Sequence, residues 1–362
     1  MENANSVVFL CSRIDLPGGT ERAIINTANL LQLNGHSVSI IILDETIESF
    51  YEVNEHIKIR QYALHFGLTS KGNPLTRKLA FRTHIRKLRK ILLESEAKTI
   101  ISTDYIFSIA AWLAAGMSNK KIFAWEHHHF HWLKKSGFWN YLFKKIYPSL
   151  TAVICLNETE AGLFKKMGCR TKVIPNFIAP GHQALLNKKI LLTVGWLIER
   201  KGTDLIPGIA EKIFENNKDW QWHIIGSGVE KESLQRSLNL KGLDKQVRIL
   251  EPVTPQLEEA YEASSIYIML SRSECFPMVL LEAMSYGLPC ISFDCATGPS
   301  FIINNQVDGI LIETENTEAI SNAIIELMDN EERRKEMGAR AFENIKRFSP
   351  SGIYPLWAGL IS

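Results

Sequence analysis

Short apolar runs alternate with longer helical stretches along nearly the whole chain, and this alternation limits the fold more than any other feature. "SVVFLCS" (6–12) passes through a glycine loop into "TERAIINTANLLQLNG", an amphipathic helix closed by Gly35. Strand-like runs follow at 37–43, 98–103, 120–125, 151–156 and 171–175, and the arrangement repeats at 188–195, 220–226, 246–250, 265–270 and 289–293. Strands alternating with helices predict an α/β architecture with parallel sheets. A length of 362 residues exceeds one comfortable core and points to two domains. The segment "IPNFIAPGHQALLNKK" (174–189) carries two prolines and a glycine without periodicity, as a linker would. The expected organisation is an N-terminal domain over 1–178, a linker over 175–187 and a C-terminal domain over 187–347. Two doubly wound halves place their ligands at the carboxyl ends of the strands, in a cleft between them.

A hydrophobic content of 46% with 22% charged residues belongs to a globular chain, not to a disordered one. The longest apolar runs, such as "SVSIIIL" (37–43), are too short to cross a bilayer, and the start lacks the basic region and cleavage site of a secretory signal. Six cysteines without a CxxC pair suit free thiols in a reducing compartment, so a cytoplasmic location is expected. Charge is unevenly shared: residues 1–180 hold 23 Lys+Arg against 14 Asp+Glu, and the remainder 18 against 25. A basic first half implies an anionic partner there.

Four stretches carry chemistry. "LPGGTE" (16–21) follows the first strand and opens a helix, so the backbone of Gly18 and Gly19 can approach an anion at a positive helix end; a plain turn with Thr20 as N-cap is the alternative. "VGWLIERKG" (194–202) offers Arg200 and Lys201 as cations for a diphosphate, against a solvated charge pair on a turn. In "SRSECFPMVLLEAMSYGLPCISF" (271–293), Glu274 lies in a loop and Glu282 in the helix that ends at Gly287. Their spacing lets both carboxylates face one ligand, and a glutamate framed by Leu280, Leu281, Ala283 and Met284 needs a partner. "AWEHHHFHW" (124–132) packs four histidines between two tryptophans and first suggests a metal site or an acid–base centre.

On these stretches, with "IPN" and "IIGSG", the chain resembles glycosyltransferase family 4 over nearly its whole length, in its bacterial exopolysaccharide and O-antigen branch. The resemblance implies the GT-B fold: two facing Rossmann-like domains with a cleft, and a C-terminal helix (348–362) crossing back onto the first. It implies a retaining, metal-independent transfer of a hexose or N-acetylhexosamine from a UDP-sugar, with no cofactor. By the same resemblance Gly18 and Gly19 meet the donor diphosphate, Lys201 neutralises it with help from Arg200, and Glu274 binds donor-sugar hydroxyls. Amides of Phe276, Met278 and Val279, and Gly226 of "IIGSG", approach sugar and phosphate. Glu282 accepts from the ribose, Val253 lies near the base and His127 lies beside the sugar's reacting end. Two positions depart from the family: Trp196 stands where arginine is usual, and Cys275 where glycine is more usual.

No second carboxylate is positioned as a nucleophile, so a front-face route is expected, with the charge of the departing diphosphate met by preorganised donors. Metal ligation by the histidine run is not expected. His128, His129 and His131 fall to the acceptor side or to structure, with Glu126 orienting one of them. The stretch "RKLAFRTHIRKLRK" (77–90) has seven Lys/Arg and no acid, with Leu79, Phe81, Ile85 and Leu88 interleaved. It suits an anionic membrane surface or a lipid-linked acceptor, against the alternative of an ordinary solvated helix. Lys134, Lys135, Lys144 and Lys145 among nearby aromatics add to it. No nucleic-acid-binding signature accompanies the basic charge, and no such partner is expected. Two rival functions share these features: a nucleotide-sugar epimerase of the same fold, and an inactive nucleotide-sugar-binding subunit of a transferase complex.

Overall fold

A computed structural model describes residues 6–43, 48–64, 66, 74–116, 118–131, 135–251 and 256–361. The chain divides into two compact units, Met1–Asn176 with Ile353–Ser362, and Phe177–Gly352. The first contains strands β1 (Ser6–Cys11), β2 (Ser37–Ile42), β3 (Lys58–Gln61), β4 (Thr99–Ser102), β5 (Lys121–Trp125), β6 (Ala152–Cys155) and β7 (Thr171–Val173). They form one sheet in the order β3-β2-β1-β4-β5-β6-β7, parallel throughout. The second contains β8 (Ile190–Val194), β9 (Gln221–Ile225), β10 (Val247–Leu250), β11 (Ile266–Met269), β12 (Cys290–Phe293) and β13 (Gly309–Ile312), parallel in the order β10-β9-β8-β11-β12-β13. Both orders reverse direction at the first strand of the unit, the doubly wound pattern that opens a crevice at the strands' carboxyl ends.

Two strands escape sequence reading. β3 (KIRQ) is an edge strand with a single apolar residue, its positions alternating between exposed and half-buried, and β13 (GILI) is four residues long and opens on glycine. Each unit has its own core. In the first, Val8, Leu10, Ile100 and Val153 pack under the helices Tyr105–Ala115 and Gly137–Ile146; in the second, Leu191, Trp222, Ile268 and Phe293 pack under Ile206–Ile213 and Thr317–Asp329.

The helix Pro350–Ile361 buries Ile353, Trp357, Leu360 and Ile361, a helical repeat of one apolar face. Leu356 lies one residue off that face and is 45% exposed. Trp357 is fully buried and meets Trp125 edge-on, with ring centroids 4.9 Å apart.

The basic helix keeps its cations exposed among the described residues. Pro74–Glu94 turns its apolar residues inward: Leu88 is fully buried, and Phe81 and Ile85 pack against the first unit's core. Of the four apolar residues interleaved with the cations only Leu79, 67% exposed, points mainly to solvent, while Phe81 and Ile85 are half-buried against the protein's own core.

Candidate active site

Adjacent strands bring two of the expected residues together. β8 and β11 are neighbours, so the loops leaving their carboxyl ends lie side by side. After β8 the chain forms two 3-10 turns, Glu199–Lys201 and Thr203–Leu205, joined at Gly202 with φ +73, a left-handed conformation that glycine tolerates. From this turn Nζ of Lys201 donates to Oε1 of Glu274 in the loop after β11. The pair is largely shielded, with 21% and 10% of the side chains exposed. The Arg272 N–H donates to the Arg200 carbonyl (2.8 Å) between the two loops, and Thr297 Oγ1, from the loop after β12, donates to the Glu274 carbonyl (2.9 Å). Arg200 Nη1 reaches the Ser273 carbonyl at 3.4 Å, and Arg272 forks onto Asp204 at 2.7 and 2.8 Å. Trp196 lines the same hollow as Gly195, Lys201, Thr203 and Val279, so an indole fills ground beside the lysine.

The next helix begins at the same loop. Met278–Ser285 starts after Pro277, and its opening amides form the positive helix end that sequence spacing placed near Phe276, Met278 and Val279. Glu282 lies inside it, 5% exposed, and accepts a hydrogen bond from the Tyr261 hydroxyl at 2.7 Å. Tyr261 is itself stacked on Tyr286, with centroids 5.4 Å apart and rings 6° from parallel. That is the partner the buried glutamate required. Glu274 and Glu282 share one neighbour: burial first, then Glu282 and more weakly Glu274, push the Tyr267 hydroxyl well above its ordinary range. Gly226 ends β9 where any Cβ would collide with the Gly195 carbonyl oxygen, so its glycine keeps the loops after β8 and β9 in register. Val253 falls outside the described residues.

In the first unit, Gly18 is the N-cap of the helix Gly19–Leu33. Thr20, the alternative cap, sits one position inside the helix. The helix end therefore has no capping side chain at Gly18, and Glu21 folds back over it. Burial raises the Glu21 carboxyl, with its own backbone N–H and Arg13 working the other way.

His127 lies two residues beyond β5. It is 9% exposed, its ring centroid is 4.3 Å from that of Trp125, and its Nε2 has no hydrogen-bond partner among the described residues. Burial, with a smaller effect of His128, drives its imidazole down to about 3, so it is neutral near physiological pH. The nitrogens Trp125 Nε1 and Trp357 Nε1 are likewise buried without partners.

The rest of the histidine run differs from its extended-chain picture, because β5 stops at Trp125 and the chain turns. His128 and His131 are exposed, and His129 donates or accepts through Nδ1 with Glu160. The carboxyl bonded to His129 is that of Glu160, and Glu126 accepts from the Tyr147 hydroxyl. Burial raises Glu126 to about 7 despite that bond, with Asp104 adding to the rise and Lys135 opposing it. Among the described residues, no three His, Cys, Asp or Glu side chains group as a metal site.

The first part of the chain, residues 17–181, matches the model of "Glycosyltransferase Family 4", and residues 177–344 match "Glycosyl transferases group 1". The chain belongs to glycosyltransferase family 4. A Haemophilus influenzae protein described as an uncharacterized glycosyltransferase is 29% identical over 98% of this chain and 99% of its own length. A Campylobacter jejuni α-1,4-N-acetyl-D-galactosaminyltransferase, named for an undecaprenyl-diphosphate-linked glycan substrate, is 26% identical over 95% of both chains. Among solved structures, Staphylococcus aureus TarM, in complex with UDP, superposes with a TM-score of 0.82 at 16% identity, covering 99% of this chain and 100% of that one. The family-4 chain thus has the GT-B fold, and its two units are the Rossmann-like halves of that fold.

Proposed function

We propose that the protein transfers a hexose or N-acetylhexosamine from a UDP-sugar to a lipid-linked or oligosaccharide acceptor in surface-glycan assembly, with retention of anomeric configuration and without a metal ion. The Lys201–Glu274 pair at the opening of the helix Met278–Ser285 carries this reading. As a diphosphate leaves, negative charge gathers on its oxygens, and a preorganised ammonium with helix-end amides stabilises it without reorganisation. Lys201 serves that charge with Arg200, while Glu274 takes donor-sugar hydroxyls and Glu282 the ribose. From the first unit, the neutral His127 serves the sugar and the Gly18 and Gly19 amides the diphosphate. The acceptor hydroxyl enters on the face the diphosphate leaves.

The test is UDP release by the full chain from a panel of UDP-sugars with excess EDTA, with and without glycan acceptors, and NMR of the product anomer. Acceptor-stimulated release with retained configuration is expected. Interconversion of UDP-sugars without acceptor would instead identify an epimerase, absence of both release and transfer a binding subunit, and inversion or EDTA sensitivity would overturn the mechanism.

No helix among the described residues is long and apolar enough to cross a membrane. We place the protein in the cytoplasm, peripherally on an anionic membrane surface. Support comes from Arg82, Arg86, Arg89 and Lys90 on the exposed side of Pro74–Glu94, and from Phe138 (58% exposed) and Tyr141 (60%) with Lys144 and Lys145 on Gly137–Ile146. Phe138 stands 6.3 Å from Phe81, so the two helices adjoin. Lys135, expected to add to this surface, is instead drawn inward, 4.0 Å from the Phe143 centroid, and burial lowers its ammonium. Lys134 lies outside the described residues. Each surface cation is worth about 1 kcal/mol near anionic lipid. Co-sedimentation with phosphatidylglycerol vesicles that is lost in the Arg86→Glu/Arg89→Glu variant and at high salt is expected. Equal binding to neutral phosphatidylcholine would refute it.

A further inference from the structure

We propose that His129 and Glu160 form an acceptor-side dyad in which Nε2 of His129 receives a hydrogen bond from a hydroxyl of the sugar or polyol acceptor. This rests on the glycosyltransferase reading above and assigns residues to its acceptor side. The two residues leave adjacent strands at their ligand-bearing ends. His129 lies in the turn after β5, and Glu160 in the helix Glu158–Lys166 that follows β6. Asn157 caps that helix by accepting from the Glu160 N–H at 2.9 Å, which places the Glu160 carboxyl in the first turn, at the positive end.

The carboxyl oxygens are both committed. Oε2 accepts the Phe130 N–H at 3.0 Å, and Oε1 is bonded to Nδ1 of His129. Glu160 is 2% exposed, whereas the His129 side chain keeps 18% of its surface, so the imidazole is the part of the dyad a ligand can reach. A carboxylate only accepts, so the proton of the neutral ring sits on Nδ1 and the lone pair is left on Nε2. The bases of nucleophilic and metal sites are aimed by an orienting carboxylate in the same way. Phe130, the next residue, packs against Phe164 and Phe143, with centroids 5.0 and 6.1 Å away, which anchors the turn that carries His129. His131, exposed and edge-on to His129 at 5.5 Å, forms the rim.

A hydroxyl is the ligand group this arrangement suits. The rest of the first unit's surface is rich in lysine and arginine, which only donate. A fixed imidazole lone pair supplies the acceptor that a sugar O–H needs. Glu160 acts through His129 and is a positioning residue; His129 is the binding residue.

The first readout needs no acceptor. Long-range nitrogen-15 NMR of the full chain, with His129 assigned by its loss in His129→Gln, is expected to show a protonated Nδ1 and a bare Nε2 in the neutral ring, and Glu160→Gln to weaken that preference. A neutral ring protonated on Nε2 overturns the dyad, whatever the enzyme's activity. The second readout is UDP release from UDP-N-acetylglucosamine, UDP-glucose and UDP-galactose, in water alone and with octyl glycosides as acceptors. His129→Phe is expected to raise the octyl-glycoside KM about tenfold, the loss of one hydrogen bond, a larger effect than its change in release in water. His129→Gln, which keeps an acceptor oxygen, recovers part of it. An unchanged KM in His129→Phe, or a parallel fall in the water reaction, overturns the role. Failure of wild-type release with every donor would count against the transferase reading, while the NMR result still decides the dyad.

Discussion

Lys201→Met and Glu274→Gln are each expected to lower UDP-sugar turnover by about 10²–10³-fold, the cost of removing one preorganised group from a charge-developing site. The double variant should lose little more than either single one, since the two side chains act through one bond and effects within a unit do not multiply. Stability separates the partners. Lys201→Met leaves a carboxylate that is only 10% exposed without its cation and should cost about 1–3 kcal/mol. Glu274→Gln leaves a more accessible ammonium and should cost less. Steady-state kinetics and urea midpoints on the same four proteins decide it. Losses that multiply in the double variant would mean that the residues serve different steps, and wild-type turnover in Glu274→Gln would remove it from the site.

The second large effect is a pH dependence that two adjacent residues conceal from each other. His127 has its folded value lowered from 6.5 to about 3, so below 6.5 the unfolded chain binds a proton that the folded chain refuses, and stability falls with falling pH. Glu126 has its folded value raised from 4.5 to about 7, so above 4.5 the folded chain keeps a proton that the unfolded chain loses, and stability falls with rising pH. Between 4.5 and 6.5 the two slopes oppose, each about 1.4 kcal/mol per pH unit. In Glu126→Gln, which keeps the oxygen that accepts from Tyr147, stability should rise with pH across that window by about 3 kcal/mol relative to wild type. In His127→Phe it should fall by a similar amount. Urea midpoints at three pH values read both. Parallel profiles in all three proteins would show that neither group is as buried as its surroundings indicate.

The sequence carried the architecture because parallel strands buried on both faces are written as continuous apolar runs, and eleven of the twenty-five residues in β1, β2, β4, β5 and β6 are isoleucine or valine. β3 has no such run, since an edge strand needs an apolar partner on neither face, and β13 is too short to show a period. The basic helix was only half legible for a related reason. An apolar stripe beside cations has the same pattern whether it covers a core or a lipid surface, and only tertiary packing shows that Phe81, Ile85 and Leu88 cover a core. Lys201 and Glu274 stood out in the sequence because each sits in a loop directly after a strand, and the adjacency of β8 and β11 lets the two side chains pair. Tyr261 and Glu160 were not, because what matters about each is a bond to a residue 21 or 31 positions away. "LNETEA" (156–161) does hold a signal, an asparagine cap three residues before an acid, but it fixes where the helix begins and not what the acid will touch.

Trp357 gives the first unit a timetable. Its ring closes over Trp125 in the sheet's middle, yet 231 residues separate the two along the chain, and all of Phe177–Gly352 is made in between. At about 5–20 residues per second, a ribosome needs roughly twelve to forty-six seconds to cross those 231 residues. Throughout it the indole of Trp125 waits uncovered while the second unit is synthesised and can fold. The half of the protein that is begun first is therefore the half completed last.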